Sequence, residues 1–328
     1  MPNLRRHFSP RIHPQVGVAL VLGVVLAGDF CRAQTVAPVA GRTAAPIAVS
    51  GAAPKPIPAP PLTDAQQAVL HEPFVTFVSS LAANSGIKLV PIPAGTFAMG
   101  SPLDEKDRNQ VEGPLTKVTL TRNFFLSATE VTQGQYEAVM GRNPSSFQAV
   151  GKDAPVENVS WDDAMAFCEK LATQEKTAGR LPDGYTFTLP TEAQWEFACR
   201  AGSTGPFAGD LDAMAWYLKN SGATTHPVAR LQANAWGLYD MEGNVMEWCY
   251  DWYDTKYPGG AVSDPKGPAT GFYRVCRGGR WNDAAAFCRS AARSGASQGR
   301  VDHVIGFRLA LSCVTSARKA PVAASGER

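Results

Sequence analysis

Apolar and polar positions along this chain alternate in short bursts, and stretches with sustained helical spacing are few. Three such stretches stand out, each opened by a start signal. Thr132-Gln133-Gly134-Gln135 precedes Tyr136, Val139 and Met140, which fall on one helical face. Ser160-Trp161-Asp162-Asp163 opens a second helix, with Ala164, Phe167, Cys168 and Leu171 at core spacing. Thr191-Glu192-Ala193-Gln194 opens a third, with Trp195, Ala198 and Cys199 inward. In each, the hydroxyl can accept from an open N–H of the first turn, and the side chain three residues on can reach back. Short apolar runs predict strands over residues 96–99, 117–120, 274–277 and 306–311. The loops between them are long and need pinning by hydrogen bonds, disulfides or ions. All seven Trp lie between positions 161 and 281. The pattern predicts an α+β domain with much irregular structure.

The ends read differently. Arg5, Arg6 and Arg11 precede an apolar run over residues 16–27, little more than half of a bilayer span. Cys31 and Ala33 supply small residues before a cleavage point. Residues 1–33 therefore read as a signal peptide, and the protein as exported, whether periplasmic, secreted or at the cell surface. Phe30 before Cys31 argues against lipidation, because a lipobox takes a small residue there. Residues 34–87 read as an Ala/Pro-rich spacer with one short helix, capped by Thr63 and ended by Pro73. Phe74 to Leu81 is apolar enough to pack on the main domain. The domain itself is expected over residues 88–314, with a flexible tail at 315–328. No transmembrane segment is expected.

The full chain carries 31 basic and 29 acidic residues. Without residues 1–33, which hold four Arg and one Asp, it carries 27 and 28, a net of −1. That balance excludes a general nucleic-acid binder. Phosphate loops, Rossmann fingerprints and Ser-His-Asp patterns are absent from the sequence.

Several segments then line up in order. They are Pro93-Ala94-Gly95-Thr96-Phe97-Ala98-Met99-Gly100, Thr129-Glu130-Val131-Thr132, and Pro155-Val156-Glu157-Asn158-Val159-Ser160-Trp161. Leu189-Pro190-Thr191-Glu192-Ala193-Gln194-Trp195-Glu196 and Asn234-Ala235-Trp236-Gly237-Leu238-Tyr239-Asp240-Met241 come next. Gly243-Asn244-Val245-Met246-Glu247-Trp248, Arg277-Gly278-Gly279 and Gly306-Phe307-Arg308 complete the set. In this order they closely resemble the formylglycine-generating enzyme (sulfatase-modifying factor) family. The resemblance implies a C-type-lectin-like α+β fold and a protein or peptide substrate. On physical grounds alone, Arg277, Arg293 and Arg308 are expected to fork onto buried carboxylates such as Glu130, Glu192 or Glu196. Gly278 and Gly279 are expected to allow positive φ or close backbone approach.

The resemblance also implies a site. In family members that make formylglycine, the loop after Arg-Gly-Gly carries two Cys, spaced C-x4-C. Both thiolates hold copper(I), which activates oxygen to oxidise a sulfatase cysteine. Here the loop reads Arg280-Trp281-Asn282-Asp283-Ala284-Ala285-Ala286-Phe287-Cys288. Asp283 stands at the first Cys position, Cys288 at the second, and Arg280 replaces a Ser. One thiolate and a carboxylate make a poor copper(I) site, so copper is not expected. Arg280, Trp281, Asn282, Asp283 and Cys288, with His303 beside Asp302, are the candidate catalytic set. The resemblance further implies structural calcium at Asp240, Gly243, Val245 and Glu247, a set of hard oxygen ligands. The rival reading is an Asp that caps a turn and a Glu that pairs with an Arg. His226, before Pro227, reads as a loop residue.

Six Cys lie beyond residue 33: Cys168, Cys199, Cys249, Cys276, Cys288 and Cys313. An even count in an exported chain suggests disulfides, and sequence alone leaves fifteen pairings. The resemblance implies Cys199–Cys288 and Cys168–Cys313, which leaves Cys249 with Cys276. Three functions stay open: a divergent oxidase-like enzyme without the two-cysteine copper mechanism, a non-catalytic ligand- or protein-binding module, and a true formylglycine-generating oxidase.

Overall fold

Four helices begin as the capping patterns predict. In the computed structural model, which describes residues 57–71 and 73–314, these are α1 (Asp64–Val69), α3 (Gln133–Met140), α4 (Trp161–Thr177) and α5 (Glu192–Arg200). Thr63, Thr132, Ser160 and Thr191 each accept from the third helical N–H. Gln66, Gln135, Asp163 and Gln194 each reach back to the cap. Each such cap contributes about 1 kcal/mol. α3 ends at Gly141, whose φ of 81° suits glycine. The expected signal peptide, spacer residues 34–56 and the tail from residue 315 lie outside the described residues. Among the described residues no helix is long and apolar enough to cross a membrane.

The boundary expected at residue 88 cuts through a packed unit. α2 (Phe74–Ser85) buries Phe74, Phe77 and Leu81 in the main core. This spacing puts all three on one helical stripe, and the stripe needs cover. Upstream, the Ile57 N–H donates to Ala229 O at 3.1 Å, and Tyr239 Oη donates to Ile57 O at 2.5 Å. The Gln66 amide is buried and donates to Pro91 O (3.1 Å) and Trp236 O (3.0 Å). The last part of the expected spacer is thus tied down by hydrogen bonds to the domain.

Three small sheets organise the rest. β1 (Leu89–Ile92), β4 (Phe124–Ser127), β11 (Ala310–Cys313) and β5 (Tyr185–Thr188) form the first, in the order β1-β4-β11-β5. β10 (Ile305–Gly306), β6 (Met246–Trp252), β8 (Arg274–Arg277) and β9 (Arg293–Ala296) form the second, in the order β10-β6-β8-β9. β2 (Gly95–Met99), β3 (Thr116–Leu120) and β7 (Ala261–Ser263) form the third. The predicted strand over 306–311 is split. Phe307, Arg308 and Leu309 separate β10 from β11, because Arg308 turns inward to a buried carboxylate.

The sheets divide two hydrophobic cores. Alternate residues of β1 and β4 point to opposite sides: Leu89 and Phe125 enter one core, Val90, Phe124 and Leu126 the other. Both faces are covered, so these strands read as unbroken apolar runs rather than alternating ones. β6 and β8 behave alike. Trp248 faces Cys276 across the ladder and lies with it in the first core, while Cys249 and Val275 lie in the second. The period of two therefore puts Cys249 and Cys276 on opposite faces. The pairing expected between them is not made, and no disulfide joins any two of the six cysteines of the described residues.

Candidate functional site

The loop after β8 starts at two glycines. Gly278 (φ 98°) and Gly279 (φ 71°) lie in the left-handed region. A Cβ on Gly279 would stand 2.7 Å from Cys288 Sγ, closer than any real contact. The chain turns here because only glycine allows both the conformation and the approach. The 3-10 turn Ala285–Phe287 then carries Cys288 inward, and its N–H donates to Ala285 O at 3.0 Å.

Cys288 is fully buried beside Leu211, Ala215 and Tyr217. Burial pushes its thiol up to about 12, and the charges of Asp283 and Glu242 add to the effect. At neutral pH it is a protonated thiol, not the thiolate that a soft metal takes. Asp283, at the expected first ligand position, accepts from Arg280 Nε at 2.9 Å. Burial raises its carboxyl pKa, and Arg280 opposes the rise. Its carbonyl accepts from the Leu218 N–H at 3.0 Å. Asn282 is exposed to solvent.

Trp281 and His303 do come together. Trp281 is buried, pinned by its N–H to Asn244 O (2.8 Å) and by Ser221 Oγ donating to its carbonyl (2.7 Å). Phe147 packs edge-on against it, with ring centres 5.5 Å apart. His303, half exposed, lies 5.9 Å from the Trp281 ring and 6.0 Å from Phe147. Its Nδ1 is 3.4 Å from Asp302 Oδ1. Glu157 completes the group. Its Oε1 accepts from the Phe147 N–H at 2.8 Å, its Oε2 is buried without a partner, and burial raises its pKa. Trp281 Nε1 is likewise buried without a partner. Phe147 and Glu157 were missed in the sequence. A charged residue between Val156 and Val159 was the available signal.

The predicted arginine forks form, and Glu247, outside the carboxylates named from the sequence, is one of the acceptors. Arg293 grips Glu192 with two bonds of 2.7 and 2.6 Å. Arg277, with no exposed surface, binds Glu196, Ala292 O and Ser290 O and lies 3.5 Å from Glu192. Arg308 pairs with Glu247, not Glu130, through two bonds of 2.6 Å. Glu130 instead accepts from Asn244 Nδ2 (2.8 Å) and the Val245 N–H (3.1 Å). It packs beneath a loop whose N–H groups need an acceptor.

These bonds bear on the expected calcium set. Glu247 has both oxygens engaged, by Arg308 and by Trp195 Nε1 at 2.7 Å. Asp240 accepts from the Ala229 N–H at 2.8 Å through Oδ2, while its Oδ1 is buried without a partner. Burial pushes Asp240 up to about 6, and burial plus the charges of Asp240 and Glu247 pushes Glu130 well up. Three carboxyl groups thus share one arginine. The orphaned Asp240 oxygen fits a cation; the Glu247 carboxylate, as arranged, does not. A Cβ on Gly243 would stand 2.3 Å from Trp216 O, which explains the glycine without a ligand. No group of three or more His, Cys, Asp and Glu poised for a metal occurs among the described residues.

The remaining cysteines are likewise not joined by disulfides. Cys168 lies in the first core, while Cys313 is partly exposed at the end of β11, 3.3 Å from Arg122 Nη1. Cys199 lies in the second core, 3.9 Å from Glu242 Oε1. The pairings expected for Cys168–Cys313 and Cys199–Cys288 are therefore not made in this structure. His226, expected as a plain loop residue, stacks on Trp216 at 3.7 Å, and its Nε2 lies 2.7 Å from Ser221 O. Burial lowers its pKa.

Small sheets, long pinned loops and a carboxylate–arginine frame define a C-type-lectin-like α+β domain. Residues 76–313 match the model of the sulfatase-modifying factor enzyme 1-like domain, and the chain belongs to that family. The formylglycine-generating enzyme of Mus musculus is 30% identical over 293 residues, spanning 68% of this chain and 74% of that protein. A protein named chaperone protein LppX from Paenibacillus barcinonensis is 32% identical over 213 residues, spanning 50% of this chain and 71% of that protein. Among solved structures, Treponema denticola variable protein 1 superposes with a TM-score of 0.61 at 34% identity, covering 69% of this chain and 94% of that one.

Proposed function

We propose that this chain is an exported, divergent family member that does not make formylglycine by two-thiolate copper(I) chemistry. It uses the loop over residues 280–288 to hold a protein or peptide partner. One observation carries the reading: the loop's only cysteine, Cys288, is a buried neutral thiol closed off by Gly279, and the carboxylate at the other ligand position is paired with Arg280. Around that loop Phe287 and Leu218 are 61% and 63% exposed, an apolar surface suited to contact rather than turnover. A relative named as a chaperone and a neighbour named as a variable protein support uses of this fold other than formylglycine generation.

The test is incubation with copper(I), oxygen and a sulfatase cysteine peptide, read by mass spectrometry and fluorescence anisotropy. The expected result is peptide binding without oxidation, weakened by Phe287→Asp. Oxidation of the peptide cysteine overturns the reading, and absence of binding removes the peptide partner.

An enzyme of altered chemistry is the second reading. The observation that favours it is the pair of unpartnered buried atoms, Glu157 Oε2 and Trp281 Nε1, beside His303. Peptide-dependent oxygen uptake that is lost in Glu157→Gln would carry it instead. Calcium belongs to the proposal through the free oxygen of Asp240. Its addition after chelation is expected to raise the unfolding temperature of the wild type but not of Asp240→Asn. Equal behaviour of the two proteins removes that site.

A further inference from the structure

On the far side of the frame, between the third sheet and the N-terminus of α5, lies a cavity of about 420 Å3. That volume is within the range of small-molecule sites. None of the residues of the 280–288 loop lines it. Its floor is apolar, built from Met99 on β2, Val118 on β3 and Val262 on β7. Its rim is stiffened by Pro258, Pro265 and Pro268, which hold the loops flanking β7 in fixed φ.

The polar wall is nearly neutral in sum. Glu192 is matched by Arg293 and Arg277 and accepts from Tyr257 Oη at 3.0 Å. Asp251, 3% exposed, accepts from the Glu192 N–H, the first of α5, at 2.9 Å. Burial and the Glu192 charge push its carboxyl up to about 8, so it carries a proton at neutral pH and can donate. Asp264, next to the rim, turns away and accepts from the Thr121 N–H (2.8 Å) and hydroxyl (2.5 Å). That leaves Lys256 and Lys266 at the mouth against Asp254 alone. Neither lysine has an ion-pair partner among the described residues. The mouth is therefore positive, the floor apolar and the inner wall able to donate a hydrogen bond.

We propose that this cavity binds a small amphipathic anion, with its apolar body on the Met99–Val118–Val262 floor and its carboxylate-type head between Lys256, Lys266 and Asp251. The two lysines attract the head and the floor excludes water from the body, so both halves of the ligand are needed. The site stands apart from the loop that carries the proposed function and does not depend on that reading.

The experiment uses 8-anilinonaphthalene-1-sulfonate, an apolar ring system with one anionic head, titrated into the folded protein and followed by fluorescence. Saturation at one probe per chain is expected, with displacement by octanoate. The double variant Lys256→Glu/Lys266→Glu, both positions at the surface, should weaken the probe about tenfold or more. The same variant should leave binding of the uncharged N-phenyl-1-naphthylamine unchanged. Val262→Trp should exclude both probes while circular dichroism stays as in the parent. No saturable binding overturns the proposal. So does binding that ignores both variants. Equal loss of the charged and uncharged probes in the lysine variant overturns the assignment of an anionic head.

Discussion

Two regions treat charge in opposite ways. In the frame formed by Arg277 on β8, Arg293 on β9 and Arg308 after β10, the arginines have almost no exposed side-chain surface, and each is held by carboxylate. In the 280–288 loop, Arg280 and Asp283 make one pair with 24% and 13% of their side-chain surface exposed. The frame's side chains have almost no surface in contact with bulk solvent, so an unpartnered charge there is costly, and every member depends on its neighbour. The loop pair is only partly buried, so solvent can make up part of a lost interaction. The family's arginines and glutamates therefore serve as scaffold here. The positions free to change chemistry are those in the loop, where Arg280 and Asp283 depart from the family pattern.

The contrast breaks most sharply at Arg308. Arg308→Met leaves Glu247 buried beside Asp240 and Glu130 and should cost about 3–5 kcal/mol. Urea unfolding measures it, and a loss near zero would mean that the frame is not held by this pair. Gly279→Ala comes next. It forces a side chain into positive φ and onto Cys288 Sγ, with an expected loss of about 1–3 kcal/mol. If the variant unfolds at the parent's urea midpoint, the glycine is not what shapes the loop.

A different kind of effect belongs to pH. Asp251 has its folded pKa raised to about 8, while an unfolded Asp titrates near ~3.9. The folded state keeps a proton that the unfolded state releases, so stability falls as pH rises through this window and levels off above about 8. Asp251→Asn keeps an acceptor for the Glu192 N–H and should flatten that slope. Its unfolding temperature is expected to match the parent near the bottom of the window and to exceed it at the top. Parallel curves for the two proteins would show that Asp251 titrates normally. The smallest change is Asp283→Asn, which loses a partly exposed pair and should cost less than about 1 kcal/mol. A larger loss would move Asp283 from the loop into the frame.

The helix starts were legible because their cause is local. A hydroxyl, an open first turn and an amide or carboxylate three residues on are enough to place Thr132, Ser160 and Thr191. The strands were less so. The first sheet is covered on both faces, so β1 and β4 carry no alternation to distinguish them from loop or helix. The arginine forks were legible in kind, but Arg308 chose Glu247 over Glu130, which depends on where the loop at residues 240–245 brings its N–H groups. The loop's departure from the cysteine pair was plain from the residues alone. That Phe147 and Glu157 join Trp281 and His303 was not, because 156 positions separate Phe147 from His303 in the chain.

The order of residues alone settles the class of fold, the family, the helix caps and the missing second thiol of the loop. Each comes from residue type and short-range spacing, which need no knowledge of distant neighbours. Tertiary packing chose which carboxylate each arginine grips and set Cys249 and Cys276 toward different cores. It also buried Cys288 as a neutral thiol and opened a cavity between the third sheet and α5. Those outcomes rest on burial and on contacts between segments far apart in the chain, and burial is what sets the cost of a charge.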